Sequence, residues 1–158
     1  MNHKTKDKGD IAVAAVILDL SKRGIKSALP TCDHLPFDLI AISEHGQLKR
    51  ISVKHRSITD GNLIIVSTRT VSSSRKGNRI LIADKNWIDF IAVFCPETNK
   101  CYYIPSLIMP SSGDLWIRVP PLLAAQSKSK NASDYELTDI FLEPRSAFQP
   151  SCSVTRGD

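Results

Sequence analysis

The chain has 158 residues, 42% of them hydrophobic and 23% charged, enough for one globular domain with a core of its own. No apolar run reaches the length of a membrane span, and Met1-Asn2-His3-Lys4-Thr5-Lys6 lacks the apolar centre of a secretory signal, so a cytoplasmic protein with no membrane partner is expected. A formal net charge of +5 favours a polyanionic partner, and the four cysteines, Cys32, Cys95, Cys101 and Cys152, form no CxxC pair or zinc-type Cys/His spacing, which argues against structural metal.

Residues 5–23 carry a helical pattern, with Thr5 as N-cap, Asp7 in the first turn, Lys22 and Arg23 in the last and Gly24 just beyond. Ile11, Ala14, Ala15 and Leu18 form one apolar stripe; Val13, Val16, Ile17 and Leu20 form a second beside it. So wide an apolar surface predicts packing against a sheet or a partner chain. A short strand, Ile25–Leu29, ends at Pro30. Phe37–Ile42 and Leu48–Lys54 then flank a polar turn containing Gly46 and read as a hairpin.

Leu63–Thr68 and Arg79–Ala83 are predicted strands on either side of a Ser-rich basic loop. Trp87–Cys95 reads as a buried strand and Cys101–Pro105 as its hairpin partner. Cys95 and Cys101 could face each other there, but free thiols suit the expected compartment better. The aromatic residues Trp87, Phe90, Phe94, Tyr102 and Tyr103 are expected in the core. Leu115–Val119 adds a short strand. Residues 126–133 read as a mobile polar loop and the tail after Pro144 as poorly ordered, which leaves 5–143 as the domain.

The chemistry gathers at the hairpin. Strand side chains alternate faces, so Asp38 shares a face with Ile40, and Ser52 shares one with Lys54. A three-residue loop, His45-Gly46-Gln47, makes the two faces coincide and sets Asp38 opposite Lys54 and Ile40 opposite Ser52. A two-residue loop at His45-Gly46 would separate Asp38 from Lys54. A carboxylate and an ammonium brought together in this way can hold a divalent cation and a phosphate, the requirement of a metal-dependent nuclease. Lys49, Arg50, Lys54, His55 and Arg56 crowd the same stretch, and Arg69, Arg75, Lys76 and Arg79 follow around the Ser-rich loop. Beside a metal site, Lys49, Arg50, His55, Arg56, Arg69, Arg75, Lys76 and Arg79 become candidate DNA phosphate contacts.

Lys8-Gly9-Asp10 opening the first helix, Lys22-Arg23-Gly24 ending it, Pro36-Phe37-Asp38-Leu39-Ile40, Arg50-Ile51-Ser52-Val53-Lys54, Asp89-Phe90-Ile91-Ala92-Val93 through Cys95-Pro96-Glu97-Thr98, Tyr103-Ile104-Pro105 and Ser133-Asp134-Tyr135-Glu136-Leu137 occur in that order. This series resembles the small PD-(D/E)xK endonucleases associated with bacterial group I introns, which include homing endonucleases. The resemblance spans roughly residues 5 to 137. It implies an α/β, restriction-endonuclease-like core in which a mixed β-sheet carries an N-terminal helix. It further implies hydrolysis of double-stranded DNA with Mg²⁺, or Mn²⁺, by a homo-oligomer, dimer or tetramer.

Catalytic positions implied by the resemblance are Asp38, Ser52 and Lys54, with Asp38 as metal ligand. Two positions depart from the family pattern. Val13 stands where the helix carries glutamate, and Ser52 where Gln or Glu is usual. Asp10, one helical turn before Val13, is the candidate replacement acid and second metal ligand; Asp33 and Glu44 are weaker candidates. The competing expectation is a catalytically silent DNA-binding or assembly protein on the same scaffold.

Overall fold

The computed structural model describes residues 4–32, 34–59, 62–67, 69–74, 77–82, 85–110, 113–120, 130–136 and 140–141. Cys152, Asp33, Arg75, Lys76 and the tail expected to be poorly ordered lie outside the described residues.

The chain opens with helix α1 (Lys4–Lys22), so Thr5 sits inside the helix and not at its N-cap. At the other end Gly24 adopts φ +74°, its N–H donates to Ser21 O and that of Ile25 to Leu20 O, both at 3.0 Å. This pair of bonds is the Schellman closure, and it needs a residue tolerant of positive φ. The strands are β1 (Lys26–Ala28), β2 (Leu39–Ile42), β3 (Leu48–His55), β4 (Leu63–Ser67), β5 (Arg69–Ser74), β6 (Gly77–Ile82), β7 (Phe90–Cys95), β8 (Lys100–Pro105), β9 (Asp114–Arg118) and β10 (Lys130–Asn131), followed by the short helix α2 (Ser133–Glu136).

Five strands form the main sheet in the order β1-β2-β3-β7-β8, with β3 parallel to β7 and the other pairs antiparallel. It is the expected mixed sheet with the N-terminal helix on it. On one face Leu39, Ile51, Val53, Phe90 and Tyr103 pack against Ala12, Val16 and Leu20 of α1. On the other, Ile91, Val93, Tyr102 and Ile104 pack against Ile64, Val66, Leu115 and Ile117 of a second sheet, ordered β10-β9-β4. Strand β7 is buried at every position because a layer covers each face.

Three further expectations need correction. The Ser-rich basic stretch is not a loop: β5 and β6 pair antiparallel as a separate two-stranded ribbon. Trp87 leaves the strand for a 3-10 turn, Lys85–Trp87, and is 52% exposed, because the ladder to β3 begins only at Phe90. Within 126–133, Lys130 and Asn131 extend the second sheet beside β9, and Ser133 starts α2. Cys95 and Cys101 are free thiols, as expected, and do not oppose each other: Cys95 pairs with Lys100 and belongs to one core, Cys101 pairs with Phe94 and belongs to the other.

Candidate active site

The β2–β3 turn closes one residue earlier than expected. Ser43 N–H donates to Gln47 O at 3.0 Å, so the loop is Glu44-His45-Gly46, with Gly46 at φ +74°. The loop length is still odd and the faces still coincide, but the pairing slides by two residues. Leu39 pairs with Ile51 and Ile40 with Arg50, so Asp38 meets Ser52 and not Lys54. Lys54 is the next residue along that face.

The Asp38 carboxylate is held from one side. Its Oδ2 accepts the Ser52 hydroxyl at 3.2 Å and the Val53 backbone N–H at 2.5 Å, and its own N–H donates to Ile51 O at 2.9 Å. Ser52 is 4% exposed, whereas Asp38 is exposed. The result is a carboxylate fixed through one oxygen on an exposed residue. Lys54 is half-buried, and among the described residues no carboxylate lies within ion-pair reach of it. Burial pulls its pKa below the ordinary lysine value, against the raising effect of Asp38, and the Arg56 charge pulls the same way as burial.

The basic residues divide by face. Arg50 is spoken for: its Nε and Nη2 bond the Asp89 carboxylate at 3.1 and 3.2 Å, and its backbone N–H reaches the same group at 2.7 Å. Lys49 lies over the Phe90 ring and His55 stands edge-on to Phe94, both on the α1 side. Arg56 remains on the Lys54 face, anchored by Ile65 O at 3.2 Å and His55 O at 3.0 Å, and makes no ion pair among the described residues. Arg69 and Arg79 lie on β5 and β6.

Asp10 is exposed on α1, whose packed face lies across the sheet from the Asp38 carboxylate. No hydrogen bond or ion pair joins the two among the described residues. Val13 packs against the helix-side core, and Glu44 sits in the exposed turn. Among the described residues no group of three His, Cys, Asp or Glu side chains could hold a metal ion. The donor set is therefore one carboxylate, Asp38, held through one of its oxygens. Such a set fits a Mg²⁺ ion that keeps most of its water and takes further oxygens from a bound phosphate. Asp89 was missed as the partner of Arg50; its place just ahead of a buried strand, beside an arginine on a parallel neighbour, becomes visible only with the β3–β7 pairing.

The family profile of PD-(D/E)XK endonucleases matches residues 3–138. Among curated proteins there is no match. Among solved structures the chain is similar to a bacterial homing endonuclease, I-Ssp6803I, at 27% identity and TM-score 0.68, over 84% of this chain and 88% of that one. It is also similar to the Holliday junction resolvase Hjc of Archaeoglobus fulgidus, at 13% identity and TM-score 0.47, over 71% of this chain and 84% of that one. The long profile match agrees with the helix-on-sheet layout described above: the chain belongs to the PD-(D/E)XK endonuclease family.

Proposed function

We propose that this protein is a homing-endonuclease-like DNA endonuclease that cleaves phosphodiester bonds of double-stranded DNA with a divalent metal, working as a homo-oligomer. The observation that carries the reading is the row on β2 and β3: a carboxylate locked through one oxygen by Ser52 and Val53, beside a half-buried lysine with no carboxylate bound to it. An unpaired, desolvated lysine beside an exposed carboxylate is costly for a fold and useful for chemistry.

Asp38 and a backbone carbonyl of β3 would hold Mg²⁺ or Mn²⁺, which supplies Lewis acidity at the scissile phosphate when bound. Ser52 keeps Asp38 in place by donating its hydroxyl proton to Oδ2. Lys54 directs its Nζ at the phosphate, where it orients the attacking water and stabilises the negative charge that develops on the oxygens. Arg56, anchored by two carbonyls, takes an adjoining phosphate. Asp10 is the candidate second acid, and its contribution requires the α1 N-terminus and the DNA to come together around the sheet edge.

The alternative is a DNA-binding protein that has lost cleavage, favoured by the core packing of Val13 and the neutral hydroxyl of Ser52. A plasmid-nicking assay in Mg²⁺ and Mn²⁺, run beside a gel shift, separates the two. Cleavage by the wild type that falls about 10²–10³-fold in Lys54→Ala, with binding retained, supports the assigned roles. Binding without cutting in either metal favours the silent form, and normal cutting by Lys54→Ala overturns the role of Lys54.

A further inference from the structure

Helix α1 has two apolar faces, and the sheet occupies one of them. Ala12, Val16 and Leu20 are buried, whereas Ile11 is 53% and Leu18 57% exposed. At 3.6 residues per turn, Asp7, Ile11, Ala14 and Leu18 run along the side facing away from Val16, with Lys22 close to the same line. A single exposed leucine is ordinary. Two large apolar residues two turns apart, with an exposed alanine between them and charges of opposite sign beyond them, form a patterned seam.

The seam is complementary to its own reverse. Rotating the helix end over end about an axis between Ala14 and Ala15 exchanges Ile11 with Leu18, and Asp7 with Lys22. We infer that α1 is a dimerisation surface on which a second copy of this chain lays its own α1 antiparallel. Ile11 packs on Leu18 of the partner subunit, and Asp7 pairs with Lys22 of the partner subunit, on both sides of the axis. This is the self-matching arrangement an isologous contact requires. The small side chains at the axis allow the helices to approach to about 8 Å. DNA fits the seam poorly, since its centre carries no charge. Antiparallel alignment also sets each helix dipole against the reverse of its neighbour.

The inference deepens the assembly part of the proposed function and is independent of its chemistry. Helix α1 and the Asp38–Ser52–Lys54 row pack on opposite faces of the main sheet, so pairing through α1 leaves the row uncovered.

The test is the mass of the full chain by sedimentation equilibrium, without metal or DNA. The wild type should sediment as a dimer or a multiple of one, and Ile11→Glu or Leu18→Glu should halve that mass while the circular dichroism spectrum stays unchanged. Asp7→Lys and Lys22→Asp should each weaken association, and the double reversal D7K/K22D should restore it, which a parallel pairing would not do. The reversals touch only exposed side chains, so they decide the matter alone if a glutamate variant misfolds. An oligomer whose mass survives Leu18→Glu, or a double reversal that fails to restore association, overturns the α1 surface and leaves the nuclease reading intact. A wild type that is monomeric at every concentration overturns both the surface and the proposed assembly.

Discussion

Lys54 shows the cost of the site at the scale of one residue. Burial disfavours its ammonium form, Asp38 only partly offsets that, and Arg56 adds to the burden. A lysine whose pKa is lower folded than unfolded binds fewer protons in the native state. Its contribution to stability therefore rises with pH between the lowered folded pKa and the ordinary 10.5, and below that window the full penalty stands. Replacing it with an apolar side chain of similar reach removes the penalty. Lys54→Met should therefore gain about 1 kcal/mol at neutral pH, a rise in Tm of about 2–4 °C, while cleavage is lost. Calorimetry across pH checks this, and the advantage should shrink as pH approaches that of free lysine. A Lys54→Met variant melting below the wild type at neutral pH would contradict it.

Among the elements, the junction of β3 with β7 carries a specific lock. Arg50 grips Asp89 through two side-chain nitrogens and its backbone N–H, and the Asp89 N–H returns a bond to Arg50 O at 2.9 Å. A parallel pair lacks a tight turn to set its register, so this clasp fixes where β7 begins. Burial alone would raise the Asp89 pKa, but hydrogen bonds from the Arg50 side chain and backbone, with the Arg50 and Lys49 charges, bring it below the ordinary value. The stability tied to this carboxylate is present above the ordinary aspartate range and is lost as pH falls through the lowered value. Asp89→Asn should cost about 1–2 kcal/mol at neutral pH, discounted for partial exposure, with little difference remaining in acid. Urea midpoints measured from neutral to acid pH provide the check, and a gap that persists in acid would point to packing and not charge. The same lock engages the Arg50 guanidinium, although its side chain stays 35% exposed, whereas Arg56 on the same face makes no ion pair among the described residues.

Viewed as a whole, the molecule is one central sheet with a core on each face and a two-stranded ribbon, β5–β6, whose strands pair only with each other among the described residues. The strands of this ribbon and the segment joining them carry Arg69, Arg75, Lys76 and Arg79. A basic two-stranded ribbon has the width to enter the major groove. Exchanging residues 68–83 for a Gly/Ser linker of equal length should leave the melting temperature within about 1 °C, since the ribbon supplies no strand to either of the other two sheets. DNA affinity should fall, and the slope of log K against log salt should become shallower by about 0.9 for each phosphate the ribbon no longer neutralises. An unchanged slope would remove the ribbon from the DNA interface.

Much of the fold was legible because it rests on local periodicity. The two-sided apolar helix, the Gly24 stop and the buried run at β7 all follow from spacing along the chain. Less legible was whatever depends on contacts distant in sequence. Apolar spacing alone left the β2–β3 turn free to slide by one residue, and backbone closure between Ser43 and Gln47 chose Ser52 as the neighbour of Asp38. Ser-rich composition hid β5, since hydroxyl residues suit loops and ribbons alike. By itself, then, the sequence determined which residue types share a face, since side-chain alternation is a local property of the backbone. Only the tertiary structure decided which charges pair closely and which do not, because Asp89 reaches Arg50 solely through the parallel β3–β7 pairing, while Lys54 is left desolvated with the Asp38 charge acting on it but in no ion pair among the described residues.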